Sequence, residues 1–226
     1  MRIQAVVFDM DGVIADTEPI HIAAWQDVLA DEGANAPAAY FGQFVGVGDR
    51  DAVRRIAADW KVTLDTDEFL DRKFRAFQKI VERDGVRTTP GFFAATDWLQ
   101  GKGIRIAVAT GSARALAELV LASLRDPRSE EPRNVESEFL IAREDVTHPK
   151  PAPDAYALAC SRLGLPPATC LAVEDSPRGI QSAKAAGLTC VALISPFYDE
   201  QYLHEADGRI GSLEELTRER RLLIAP

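Results

Sequence analysis

Short apolar runs recur along the chain, and each stops at a cluster of polar residues. Ile3 to Phe8 is rich in β-branched residues and stops at Asp9-Met10-Asp11-Gly12. Ile104 to Ala109 stops at Thr110-Gly111-Ser112, and Cys170 to Val173 stops at Glu174-Asp175-Ser176-Pro177. Cys190 to Ile194 is a fourth run, and Phe139 to Ala142 a weaker fifth. Runs of this length and composition predict buried strands that end in turns. Helical periodicity fills the intervals over 113–124, 153–163 and 177–186. The last of these has Ser176 as a natural N-cap, Pro177 in the first turn and Gly187 as a stop. Strands alternating with helices predict a parallel sheet covered on both faces.

Residues 17 to 86 break the rhythm. No strong strand signal occurs there, and helical stretches around 20–32, 50–60 and 67–83 dominate, with Gly46-Val47-Gly48 read as a loop. Asp16 to Pro19 and Gly85 to Gly91 form the two connections. The expected fold is therefore α/β: a Rossmann-like parallel-sheet core from residues 1–16 and 87–226, with a small all-helical cap, 17–86, inserted after the first strand. Arg125 to Glu136, with two prolines and many charges, reads as an exposed loop. Trp25, Trp60 and Trp98 are expected in the core.

Composition narrows the classes. The chain has 226 residues, with 26 bases against 35 acids and a net charge of −9. An acidic balance argues against wrapping a nucleic acid or lying on an anionic membrane. No apolar run approaches the roughly 18 residues that span a bilayer, and the start reaches acids too early for a signal peptide. Cys160, Cys170 and Cys190 show no C-x-x-C spacing and read as buried free thiols, so a cytoplasmic location is expected.

The residues with chemistry all follow strands. Asp9 and Asp11 follow the first, Thr110 and Ser112 the next, Lys150 lies a short loop beyond the weak run at 139–142, and Glu174 and Asp175 follow the run at 170–173. In an open parallel sheet, ligands bind outside the carboxyl ends of the strands. Distant segments thus converge on one rim that holds carboxylates, an ammonium and hydroxyls. Two like charges at about 4 Å repel by roughly 4 kcal/mol at an effective dielectric near 20. A hard divalent cation, Mg²⁺, resolves that repulsion and accepts a phosphate oxygen as well. Asp9 is the candidate nucleophile and Asp11 the candidate acid/base. Lys150 is the charge stabiliser, and the backbone of Thr110, Gly111 and Ser112, where a helix begins, is an anion cradle. The partner implied is a small phosphorylated molecule. A calcium loop at Asp9 fails for want of ligands near Val13, a glycine at Ile14 and a glutamate at Ile20. A turn role for Asp9 and Asp11, a surface role for Lys150 and a helix-terminus role for Glu174 and Asp175 are the plainer readings.

At these residues the chain resembles the haloacid dehalogenase superfamily along nearly its whole length. Asp9-Met10-Asp11-Gly12-Val13, Thr110-Gly111-Ser112, Lys150-Pro151-Ala152-Pro153-Asp154 and Glu174-Asp175-Ser176 with Gly179-Ile180 look like its four motifs in order. Asp16 to Pro19 with His21, and the helical insert, resemble the branch of β-phosphoglucomutase and phosphoglycolate phosphatase. The resemblance implies metal ligation by Asp9, the Asp11 carbonyl, Glu174 and Asp175, and phosphoryl binding by Thr110, Gly111 and Lys150. It also implies a cap–core role for His21, and it brings in Arg50 as a substrate contact. Two positions depart from the mutase: Asp49 stands where its cap loop has arginine, and Arg114 where it has asparagine. The expected activity is a Mg²⁺-dependent phosphatase of a small metabolite, with a phosphosugar mutase, a metal-independent dehalogenase and a phospho-accepting signalling module as alternatives. A monomer or weak dimer is expected.

Overall fold

The computed structural model describes residues 3–44, 47–126, 133, 135, 137–195 and 198–217. Gly46 and most of the charged stretch 125–136 therefore lie outside the described residues. The chain divides into two compact units, Met1–Asp16 with Arg87–Pro226, and Thr17–Val86. In chain order the helices are α1 (Glu18–Asp31), α2 (Ala38–Phe41), α3 (Asp49–Trp60), α4 (Thr66–Asp84), α5 (Phe92–Gly101), α6 (Arg114–Ala122), α7 (Asp154–Leu163) and α8 (Pro177–Ala185).

The larger unit is built on a six-stranded sheet. Its strands are β1 (Ala5–Phe8), β2 (Arg105–Ala109), β3 (Phe139–Ile141), β4 (Cys170–Glu174), β5 (Thr189–Leu193) and β6 (Gly208–Ile210). They run in the order β3-β2-β1-β4-β5-β6, all parallel. This is the Rossmann-like order, with its switch point between β1 and β4. Register follows from the pleat: Val7 pairs with Ala107 on one side and Ala172 on the other. One sheet face is made of small residues, Ala5, Ala107, Ala109, Ala172, Cys190 and Ala192, with Val7 and Cys170 among them. That face packs with Tyr156, Ala159 and Leu163 of α7 and with Ile180 and Ala183 of α8 in one buried cluster. Elsewhere Phe8 meets Phe92 of α5 edge-on, with ring centres 5.7 Å apart. All three cysteines are free and buried.

The helical unit has its own core, in which Trp25, Leu29, Phe41, Val53, Ile56 and Phe69 are buried together. The Asp65 side chain caps α4 by accepting from the N–H groups of Asp67 and Glu68. Lys73 is buried here: its ammonium lies 2.7 Å from Asp49 and 4.1 Å above the Trp25 ring.

One expectation needs correction, and two elements are additions to it. Trp25 is buried, but Trp60 and Trp98 are only half-buried. Trp60 is the last residue of α3, and Trp98 lies near the end of α5 with Lys102 over its ring. Helix α5 and strand β6 were not foreseen. The α5 segment buries Phe92, Phe93, Ala95, Thr96 and Leu99 on one face at helical spacing, a short periodic stretch directly after the Gly85–Gly91 connection. Strand β6 is a three-residue edge strand whose only large apolar residue is Ile210.

Candidate active site

The switch point brings together four residues from three distant stretches of the chain. The Asp9 N–H still donates to Val173 O at 2.9 Å, so its carboxylate projects just past the end of β1, beside the end of β4. Asp9, Glu174 and Asp175 are buried, and one carboxylate oxygen from each lies within 4.8 Å of the others. Lys150 reaches this cluster from beyond β3. Its Nζ donates to Asp9 Oδ1 and to Glu174 Oε1, both at 2.6 Å, and to Ala109 O at 3.0 Å. One ammonium thus ties together the ends of β1, β2 and β4.

Glu174 is held from further sides. The Tyr156 hydroxyl donates to Oε1 at 2.7 Å, and the Ser176 hydroxyl donates to Oε2 at 3.0 Å. Ser176 also accepts from the Gly179 N–H at 3.1 Å, which makes it the N-cap of α8 as its position predicts. Two glycines leave room for the carboxylates. A Cβ on Gly179 would lie 1.9 Å from Glu174 Oε1, and one on Gly12, whose φ is +79°, would lie 2.1 Å from Asp175 Oδ2.

Electrostatics follow from this crowding. Burial, with Glu174 close by, pushes the Asp9 carboxyl well above the usual carboxylate range. Burial and the charges of Asp9 and Glu174 do the same to Asp175. Burial alone would lower the Lys150 ammonium, but Asp9 and Glu174 outweigh it and hold it above its ordinary value. One ammonium against three buried carboxylates leaves excess negative charge in a region of low polarisability, a state that costs strongly unless a cation joins it. The donors are all oxygens, which suits a hard ion such as Mg²⁺. The residues therefore fit a divalent cation held by Asp9, Glu174 and Asp175.

Asp11 faces a different set of groups. Its Oδ2 accepts from Ser112 Oγ at 2.7 Å and from Thr110 Oγ1 at 3.3 Å. The strand-end hydroxyls and the second aspartate are thus neighbours. The expected anion cradle needs correction here. Helix α6 begins only at Arg114, the Thr110 N–H donates to Ile141 O at 2.9 Å, and the Ser112 N–H donates to Thr110 Oγ1 at 3.0 Å. Of the three backbone donors, Gly111 alone makes no hydrogen bond among the described residues, so the expected set of three N–H groups reduces to one.

His21 and Arg50 belong to the helical unit. The His21 ring packs on Phe77 with centres 4.6 Å apart, and Arg50 is exposed and pairs with Asp67 at 2.5 Å. Sequence reasoning missed Tyr156. A tyrosine on the apolar face of α7 reads as core filler, and only its place six residues after Lys150 hints that its hydroxyl reaches the same carboxylate.

The strand order and the acidic rim at the switch point define a Rossmann-like α/β enzyme core with a candidate cation site. Residues 3–187 match the family of haloacid dehalogenase-like hydrolases. The chain is 31% identical over 223 residues to protein CbbY of Rhodobacter capsulatus, covering 94% of this chain and 95% of that protein. It is 33% identical over 193 residues to the fructose-1-phosphate phosphatase YqaB of Escherichia coli, covering 84% and 96%. The crystal structure of CbbY from Rhodobacter sphaeroides in complex with phosphate superposes with a TM-score of 0.79 at 25% identity, covering 95% of this chain and 96% of that one. The chain belongs to the haloacid dehalogenase-like hydrolases.

Proposed function

We propose that this hydrolase is a Mg²⁺-dependent phosphatase of a small phosphorylated metabolite, of the sugar-phosphate class, working through an aspartyl-phosphate on Asp9. The observation that carries the reading is the Lys150 ammonium bridging Asp9 and Glu174 beside the buried Asp175. The fructose-1-phosphate phosphatase among its relatives supports the substrate class.

A carboxylate oxygen of Asp9 attacks phosphorus, and the bond to the leaving alkoxide breaks. Asp11 delivers a proton to that oxygen, so the alcohol leaves neutral. Water then attacks the phosphorylated Asp9, its proton passes to Asp11, and the Asp9–phosphorus bond breaks to release inorganic phosphate. Lys150 holds charge on the transferring group, and the Thr110 and Ser112 hydroxyls with the Gly111 N–H orient its oxygens. When bound, Mg²⁺ supplies charge neutralisation between the attacking carboxylate and the phosphoryl oxygens; Asp9, Glu174, Asp175 and the Asp11 carbonyl are its proposed ligands.

The same proposal assigns residues 17–86 the role of a cap, with His21 and Arg50 as substrate contacts, on the strength of the sequence resemblance. It places the enzyme in the cytoplasm as a monomer or weak dimer, with the buried free thiols supporting the location. Among the described residues, no helix is long and apolar enough to cross a membrane.

The test is a panel of phosphorylated metabolites assayed with Mg²⁺ for release of inorganic phosphate. Steady release from sugar monophosphates, lost on chelation, is expected. Turnover that requires a bisphosphate activator and frees no phosphate would make the chain a mutase, and undiminished activity in chelator would overturn the metal-dependent mechanism.

A further inference from the structure

The loop that carries Thr110 and Ser112 continues into α6, whose N-terminal residues have no capping side chain of their own, because the N-cap position is Ala113. The missing support comes from the turn Arg143–Asp145, just after β3. Glu144 Oε2 accepts the Arg114 N–H at 2.9 Å, and the Arg143 N–H donates to Ser112 O at 3.1 Å. Asp145 binds this arrangement together. Its Oδ2 accepts from Arg114 Nη2 at 2.5 Å and from the Ala142 N–H at 2.8 Å, while its Oδ1 accepts from Arg162 Nη2 of α7 at 3.2 Å. The carboxylate is largely covered, its side chain only 16% exposed. One acid thus receives donors from the start of α6, the end of β3 and the last turn of α7.

We propose that Asp145 is a positioning residue for phosphate binding: by clamping Arg114, Ala142 and Arg162 it fixes the backbone of residues 110–114 and so the reach of the Thr110 and Ser112 hydroxyls. The proposal rests on the reading of that loop as the phosphate site. It also accounts for Arg114, which departs from the mutase pattern: its guanidinium is engaged with Asp145 and with Glu118. Small misplacements of oriented groups are costly to binding, which is why a residue without contact to the ligand matters here.

The test measures KM and kcat for a phosphomonoester substrate, the Ki of inorganic phosphate and the melting temperature of Asp145→Ala, with Thr110→Ala in parallel. Asp145→Ala is expected to raise KM and the phosphate Ki about tenfold, equivalent to ~1.4 kcal/mol, with kcat changing far less. Asp145→Asn keeps an acceptor for Ala142 and is expected to show a smaller rise in the same direction; it also serves where the alanine variant fails to fold. Arg114→Ala combined with Asp145→Ala should add little to either alone, since both act in one network. A lowered melting temperature with unchanged KM and Ki in both Asp145 variants would overturn the clamp. If Thr110→Ala raises the phosphate Ki while the Asp145 variants do not, the clamp alone falls. If Thr110→Ala is also silent, the phosphate-loop reading falls and the clamp falls with it.

Discussion

The Tyr156 hydroxyl donates to Glu174 Oε1 at 2.7 Å, and both side chains are completely buried. Burial, with Glu174 and Asp9 nearby, drives the phenol well above its ordinary pKa, so Tyr156 stays neutral and remains a donor. Outer groups that orient a metal-binding carboxylate typically change metal affinity by about 10–100-fold when removed. Tyr156→Phe removes only the hydroxyl and preserves the ring's packing in α7. The Mg²⁺ concentration for half-maximal activity is therefore expected to rise by about 10-fold or more, with kcat at saturating Mg²⁺ largely retained. A titration of activity against Mg²⁺ checks this, and a curve superimposable on wild type would refute it.

Gly179 offers a test in which helix propensity and packing oppose each other. An alanine inside a helix is ordinarily favoured over glycine by about 1 kcal/mol. At this position the added methyl would overlap the Glu174 carboxylate, 1.9–2.0 Å from its atoms. Neither Glu174, held by Lys150, Tyr156 and Ser176, nor the first turn of α8 has space to give. Gly179→Ala is expected to lower the melting temperature and to abolish the stabilisation that Mg²⁺ gives through binding the native state. Thermal unfolding with and without Mg²⁺ measures both effects. A more stable variant with an intact Mg²⁺ response would mean that the carboxylate moves freely.

Much of this arrangement was legible in the sequence because a parallel sheet converts order along the chain into position along an edge. Each apolar run from Ile3, Ile104 and Cys170 ends where its strand ends, within a residue or two; Asp9, Thr110 and Asp175 follow those strand ends, and Glu174 is the last residue of β4. What sequence reasoning could not reach were relations between side chains on different elements. Tyr156 looks like any core tyrosine until its hydroxyl is placed against Glu174. Glu144 caps a helix thirty residues earlier in the chain, a pairing with no local signature. Helix α5 escaped although Phe92, Ala95, Thr96 and Leu99 stand at helical spacing, because its ten residues give the period little more than two turns in which to show. The backbone cradle differs for a geometric reason: the Thr110 N–H is taken by Ile141 O of the neighbouring strand and the Ser112 N–H by Thr110 Oγ1 before α6 begins.

The two aspartates at the end of β1 should separate cleanly by substitution. Asp9→Asn keeps the shape and the hydrogen bond from Lys150 but replaces a carboxylate with an amide that is no nucleophile. Turnover should vanish while the fold persists. Asp11→Asn leaves Asp9 able to attack but removes proton delivery, so steady-state turnover should fall by about 10²–10⁴-fold. Asp11→Asn should suffer least with substrates whose leaving group needs no proton, such as an aryl phosphate with an acidic phenol. Comparing kcat for aryl and alkyl phosphates in both variants tests the assignment. Equal losses on the two substrates would remove Asp11 from the acid role.

Asp145 also makes a prediction about acid stability that requires no turnover. Burial raises its pKa, but the Ala142 N–H and the guanidinium groups of Arg162 and Arg114 outweigh that, leaving the carboxyl below its ordinary 3.8. A carboxyl depressed in the folded state binds fewer protons there than in the unfolded chain. Its contribution is therefore complete above the unfolded pKa and is lost as pH falls through the folded value. The melting-temperature difference between wild type and Asp145→Asn should be constant from about pH 5 to 8 and shrink below about pH 4, where the unfolded carboxyl starts to protonate. Other depressed carboxyls, such as Glu138 beside Arg105, titrate in the same acidic range, and taking the difference between the two proteins removes their share. Melting curves of both proteins from pH 2.5 to 8, a range of about 5 units around the ordinary carboxylate values, give the answer. A difference that widens on acidification would mean that burial, and not the arginine clamp, governs this carboxylate.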